Sequence, residues 1–123
     1  MQKDPVLTLA STVRLLMAER KDTQVSLSQR AGVSQRAISD LMNYEALRKS
    51  PTMRTVEAIG RAFDLPPWVL MAPDLPVELL RGSRLTRLVE NYCRLPEEGR
   101  QSVERVAESE ARYAASLRPA RTA

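Results

Sequence analysis

The sequence predicts an all-α fold, and three observations predict it. Apolar residues recur at i, i+3, i+4 and i+7 through most of the chain, which is the repeat of one helix face. No stretch sustains the period-two alternation of a half-buried strand, and four glycines leave little for hairpin turns. Prolines, glycines and short hydroxyl residues fall between the stripes, where helices start and stop. At 123 residues this is one domain, or one small domain with an appendage.

Taken in order, Met1 to Asp4 reads as a loose arm whose one basic residue is Lys3. A first helix follows from about Pro5 to Lys21, with Val6, Leu9, Ala10, Val13, Leu16 and Met17 on its core face and Arg14, Arg20 and Lys21 off it as solvated charge. A second runs over about 23–31, with Thr23 as N-cap and Leu27 and Ala31 one turn apart. Gly32 stands where a helix C-terminus needs a residue at ease with positive φ. Ser34 is a second N-cap and opens a third helix, about 34–43, with Ala37, Ile38, Leu41 and Met42 at helical spacing. Tyr44 to Ser50 reads as a loop carrying Arg48 and Lys49.

Ser50-Pro51-Thr52 then starts a helix with Met53, Val56, Ile59, Ala62 and Phe63 facing in, ended at Asp64, a residue that tolerates left-handed φ. Pro66-Pro67 opens a short helix in which Trp68, Val69 and Leu70 close the core. Pro73 and Pro76 mark a boundary between residues 1–72 and 73–123. Beyond it a helix from Pro76 or Ser83 to Cys93 carries Leu79, Leu80, Leu85, Leu88, Val89 and Tyr92. Leu95-Pro96-Glu97-Glu98 breaks it and starts another, with Val103, Val106, Glu110, Tyr113 and Leu117 spaced 3, 4, 3, 4. That spacing is a short coiled-coil seam interrupted by Glu110. From Arg118 the chain reads as a frayed tail.

The stretch Thr23 to Asn43, TQVSLSQRAGVSQRAISDLMN, resembles the helix-turn-helix domain of lambdoid phage repressors, Cro proteins and the XRE-type bacterial regulators built like them. The Thr-Gln opening, the Leu five residues before Gly32, the Gly-Val-Ser turn and the Ile four residues after Ser34 fall in register, and the similarity runs over roughly Val6 to Met71. It implies a five-helix, lambda-repressor-like DNA-binding domain followed by a C-terminal helical hairpin. It also implies that the third helix is the one that enters a major groove.

Base reading is then expected from Gln35, Arg36, Ser39 and Asp40. Gln pairs bidentately with adenine and Arg with guanine, each contact supplying about 1–3 kcal/mol of discrimination. Asp40, four residues after Arg36, either orients that guanidinium, accepts from a cytosine amine, or forms an exposed ion pair with Arg36. Grip on the backbone is expected from Thr23, Gln24, Ser34, Asn43, Arg48, Lys49 and Arg54. Many relatives carry an Arg late in the first helix and a Glu at the end of the third. Met17 and Met42 hold those positions here, so neither charge is stranded, and the two methionines are expected to touch.

Net charge is +4, with +3 of it before Pro73, as nucleic-acid binding asks. A lone Cys93 forbids an intramolecular disulfide and suits a reducing compartment. No apolar run spans a bilayer and no signal peptide opens the chain, so a cytoplasmic location is expected. With no His, one Cys, no phosphate loop and no metal-ligand spacing, neither catalysis nor a metal or other cofactor is expected. The roughly 50 residues after Pro73 do not accommodate the self-cleaving domain of longer phage repressors, so induction by self-proteolysis is not expected. The reading is a repressor that binds a palindromic operator in double-stranded DNA as a homodimer, with Leu85, Leu88, Val89, Tyr92, Val103 and Val106 at the dimer seam. Two rivals stay open: an antitoxin that autoregulates its operon and binds a toxin partner, and a helical protein-interaction module that has lost DNA binding.

Overall fold

The computed structural model describes residues 4–117, and every regular element in them is helical. The arm at 1–3 with Lys3 and the tail from Arg118 lie outside the described residues. The chain divides into two compact units, Met1–Arg84 and Leu85–Ala123.

In the first unit, α1 (Pro5–Arg20) begins where the Asp4 carboxylate accepts a bond from the Val6 amide at 2.9 Å and Pro5 supplies a helical φ. It stops at Lys21, whose φ of 57° lets the Asp22 amide turn back to the Met17 carbonyl at 2.8 Å. α2 (Gln24–Ala31) starts from a reciprocal cap between Thr23 and Ser26, and α3 (Gln35–Met42) from the Ser34 hydroxyl, which accepts from the Ala37 amide. α5 (Met53–Ala62) is capped by Thr52, and α6 (Pro67–Met71) opens on a proline. Between them Asp64 takes a φ of 58°, the left-handed turn expected of it.

The inward faces converge on one core in which Leu9, Val13, Leu27, Ile38, Leu41, Ile59, Val69 and Leu70 are fully buried. Each aliphatic side chain so placed contributes about 1.5–3 kcal/mol. Gly60 lies inside α5 because α5 meets the following turn there: a Cβ would sit 2.5 Å from the Leu65 carbonyl oxygen. Met17 and Met42 both pack partly buried against this core.

Four expectations are corrected. The stretch expected to be a loop contains a one-turn helix, α4 (Tyr44–Leu47), because the Tyr44 ring is buried and its hydroxyl donates to Asp4 at 3.1 Å. Met53 is 62% exposed, since as the first residue of α5 it precedes the turn that reaches the core. Trp68 is 42% exposed, and its neighbours Val69 and Leu70 close the core instead. Leu80 belongs to the first unit: a 3-10 turn at Val77–Leu80 buries it in the main core, and Arg81 clamps Glu19 of α1 with two bonds of 3.0 and 2.6 Å. The prolines at 73 and 76 therefore redirect the chain without ending the unit.

The second unit holds α7 (Arg84–Arg94, whose first residue closes the first unit) and α8 (Glu97–Ser116), joined through Leu95 and Pro96. The helix expected from Pro76 or Ser83 thus starts at Arg84. At the joint, Arg100 donates to the carbonyls of Tyr92 and Cys93, with its guanidinium 5.8 Å from the centre of the Tyr92 ring. Burial, and then Glu104, push the Tyr92 phenol up from its ordinary value. Neither helix has a fully buried residue. No helix among the described residues is long and apolar enough to cross a membrane.

Candidate nucleic-acid interface

The α2–α3 pair is set by one glycine and one serine. Gly32 takes a φ of 71°, which an L side chain rarely adopts, and lets the chain reverse within three residues. The nearly buried Ser28 hydroxyl donates to the Val33 carbonyl at 2.8 Å, tying α2 to the turn it feeds. Leu27, Ile38 and Leu41 are buried behind the turn, so α3 has a fixed inner face.

On its other side, Ser34, Gln35 and Arg36 are exposed, while Ser39 and Asp40 are half-buried. The Asn43 amide donates to the Ser39 carbonyl at 2.9 Å and approaches its hydroxyl at 3.4 Å, so those two polar side chains are held together on one edge. Thr23 and Gln24, exposed at the start of α2, flank the same turn motif. Thr23 spends its hydroxyl as a cap; Gln24 is the longer reach.

Asp40 does not form the ion pair with Arg36 that the four-residue spacing allows. It lines a groove of about 210 Å³ with Lys49, Ser50, Thr52 and Thr55. The ion-pair reading of Asp40 therefore falls, and among the described residues Arg36 has no ion partner. Arg48 is largely committed elsewhere. Its guanidinium lies 5.2 Å from the Tyr44 ring centre and 3.6 Å from the Asp4 carboxylate. That carboxylate is held below its ordinary range chiefly by the Val6 amide, then by the Tyr44 hydroxyl. Lys49 and Arg54 remain exposed.

The acid nearest the start of α2 is neutralised. Arg30 makes two bonds to Asp22, at 2.8 and 2.9 Å, and the Ser26 hydroxyl adds a third. The carboxyl sits well below the usual aspartate value, first because of Arg30 and then Ser26, against the opposing effect of burial.

Three arginines of α1 and α2 reach across to other helices. Arg14 reaches from α1 to donate to the Met42 carbonyl at 2.9 Å, at the C-terminal end of α3 where a cation is favoured. Arg20 and Arg30 both donate to the Ala62 carbonyl at the end of α5 and both lie over the Phe63 ring. The Arg14–Met42 contact, the Ser28 bond and the Asp22–Arg30 pair were missed from sequence, because each partner is reached only after the chain has turned.

The family model described as Helix-turn-helix matches residues 13–67, from the middle of α1 to the first residue of α6. No curated protein and no solved structure matches the chain. A capped helix pair about a left-handed glycine, with a buried rear face and a polar front, is an arrangement that lets the second helix lie in a DNA major groove. This domain, residues 13–67, belongs to the XRE-type helix-turn-helix family, which supports a DNA-binding transcription regulator.

Proposed function

We propose that the chain is a repressor that occupies a palindromic operator as a homodimer, with α3 as its reading helix. The observation that carries this is the front of α3: Gln35 and Arg36 lie exposed side by side at its N-terminal end, and among the described residues Arg36 has no ion partner. Gln35, Arg36, Ser39 and Asp40 read base edges in this proposal. Thr23, Gln24, Ser34, Asn43, Lys49 and Arg54 hold phosphates, and Arg48 contributes least because Tyr44 and Asp4 already engage it. A single helix of this length reads only a few base pairs, so two copies about 34 Å apart are needed for a specific site.

The seam proposed for the dimer comprises Leu85, Leu88, Val89, Tyr92, Val103 and Val106. Leu88 and Val106 are 55% and 62% exposed, and the other four are half-buried. The same exposed apolar residues favour a second reading, an antitoxin whose C-terminal helices hold a toxin; a toxin gene beside this one would select it.

The test is fluorescence anisotropy of DNA from the gene's upstream region, titrated with the protein and with Arg36→Ala at two salt concentrations. Sequence preference should fall by roughly 10-fold or more in the variant, as the loss of one bidentate base contact implies. Affinity should drop steeply with salt in both proteins. Binding with neither sequence preference nor salt dependence would move the interaction-module reading to first place.

A further inference from the structure

α8 is twenty residues long, and α7 is eleven. From residue 104 of α8 to its C-cap Leu117 every position is exposed, including Val106, Tyr113 and Leu117 at 62%, 63% and 63%. These three lie on one stripe, at 3- and 4-residue spacings about Glu110. An overhanging helix of this length is marginal in water on its own, because propensity alone rarely offsets the cost of nucleation. The positions flanking the stripe, Ala107, Ser109, Ala114 and Ser116, are small, so another helix can approach closely.

Charge says which helix. Residues 102–111 carry three Glu and one Arg, a net −2, whereas residues 112–117 carry Arg112 and no acid, a net +1. The sign changes between Ala111 and Arg112. A second copy laid parallel sets like charge on like charge; laid antiparallel about that midpoint, it sets each acidic half on a basic half. The same placement puts Val106 opposite Leu117 and Glu110 opposite Tyr113, since 106 and 117, like 110 and 113, are equidistant from it. The polar break in the stripe then faces a phenol that can donate to it, instead of a second carboxylate.

We propose that the free half of α8 pairs with the same segment of a second copy, antiparallel, with Val106 against the partner's Leu117 and Glu110 hydrogen-bonded to the partner's Tyr113. This rests on the homodimer reading and deepens it by naming the surface and its polarity. It adds Tyr113 and Leu117 to the interface and makes Glu110 an orientation determinant.

The test uses the full chain with Cys93→Ala, carrying either Val106→Cys or Leu117→Cys. Both positions are exposed, so neither substitution opens a core, and circular dichroism verifies that helix content is retained. Each chain is first sedimented across a concentration series, then oxidised alone and as an equimolar mixture. Antiparallel pairing gives dimers by sedimentation, a disulfide between 106 and 117 in the mixture, and little in either chain alone. In that pairing two copies of residue 117 lie about 16 Å apart, beyond disulfide reach. Efficient 106–106 and 117–117 disulfides would mean a parallel pair, and dimers without any of these disulfides would mean another face. Either result overturns this proposal and leaves the homodimer reading standing. A monomer at every concentration overturns both.

Discussion

Gly60 shows how little freedom one position has. It sits in the last turn of α5, where glycine still costs up to about 1 kcal/mol relative to alanine by propensity, so alanine would ordinarily stabilise α5. Here the added methyl would meet the Leu65 carbonyl oxygen at 2.5 Å, and that oxygen belongs to the backbone of the turn that closes the core. The clash outweighs the propensity gain. Gly60→Ala is expected to lower stability by about 1–3 kcal/mol, read as a fall in the thermal midpoint; an unchanged or raised midpoint would show that the turn yields freely. At the same scale, Phe63 holds two arginines over its ring and Tyr44 one, and all three lie outside the apolar stripes from which the core was read.

Among the elements, α2 is the one held most by charge. Asp22 precedes it, Arg30 lies in its last turn, and the pair spans the helix with the Ser26 hydroxyl bonded to the same carboxylate. Because the folded state depresses the Asp22 pKa, the stability it supplies is fully present above the ordinary aspartate value and lost as pH falls through the depressed one. The wild-type midpoint should therefore fall, as pH drops below about 4, more steeply than that of Asp22→Asn, which starts lower and has no such carboxylate to titrate. Parallel pH profiles for the two proteins would assign the acid sensitivity to other carboxylates. α3 is shorter in its supports. It has Ser34 at one end, Arg14 on its last carbonyl and the Ile38–Leu41 face between.

For the whole molecule the division into two units has a consequence. The core is contained in residues 9–80, and among the described residues the second unit has no fully buried one with which to hold itself together. A fragment of residues 1–84 should keep the thermal midpoint of the domain, within a few degrees. The helix signal from residues 85–123 should depend on protein concentration, because association with a second copy supplies its missing burial. Loss of fold in the 1–84 fragment would show that the second unit stabilises the first.

What the sequence determined by itself was everything encoded within one turn of helix. Thr23, Ser34 and Thr52 cap the helices they precede, Gly32 and Asp64 take the left-handed turns, and the 3.6-residue stripes name Leu9, Val13, Leu27, Ile38, Leu41 and Ile59 as core. These follow from local hydrogen-bond geometry and steric limits on φ, which depend on near neighbours alone. The polar front of α3 was legible for the same reason, since it is what remains once the apolar stripe is assigned. Only the tertiary structure decided which apolar residues the stripes leave outside, as with Trp68 and Met53, and which distant segment returns, as with Leu80. It alone joined Arg14 to Met42, Tyr44 to Asp4 and Arg81 to Glu19, pairs separated by 28, 40 and 62 residues. Such contacts depend on where whole helices come to rest, and periodicity records a helix's own faces without recording what will be brought against them.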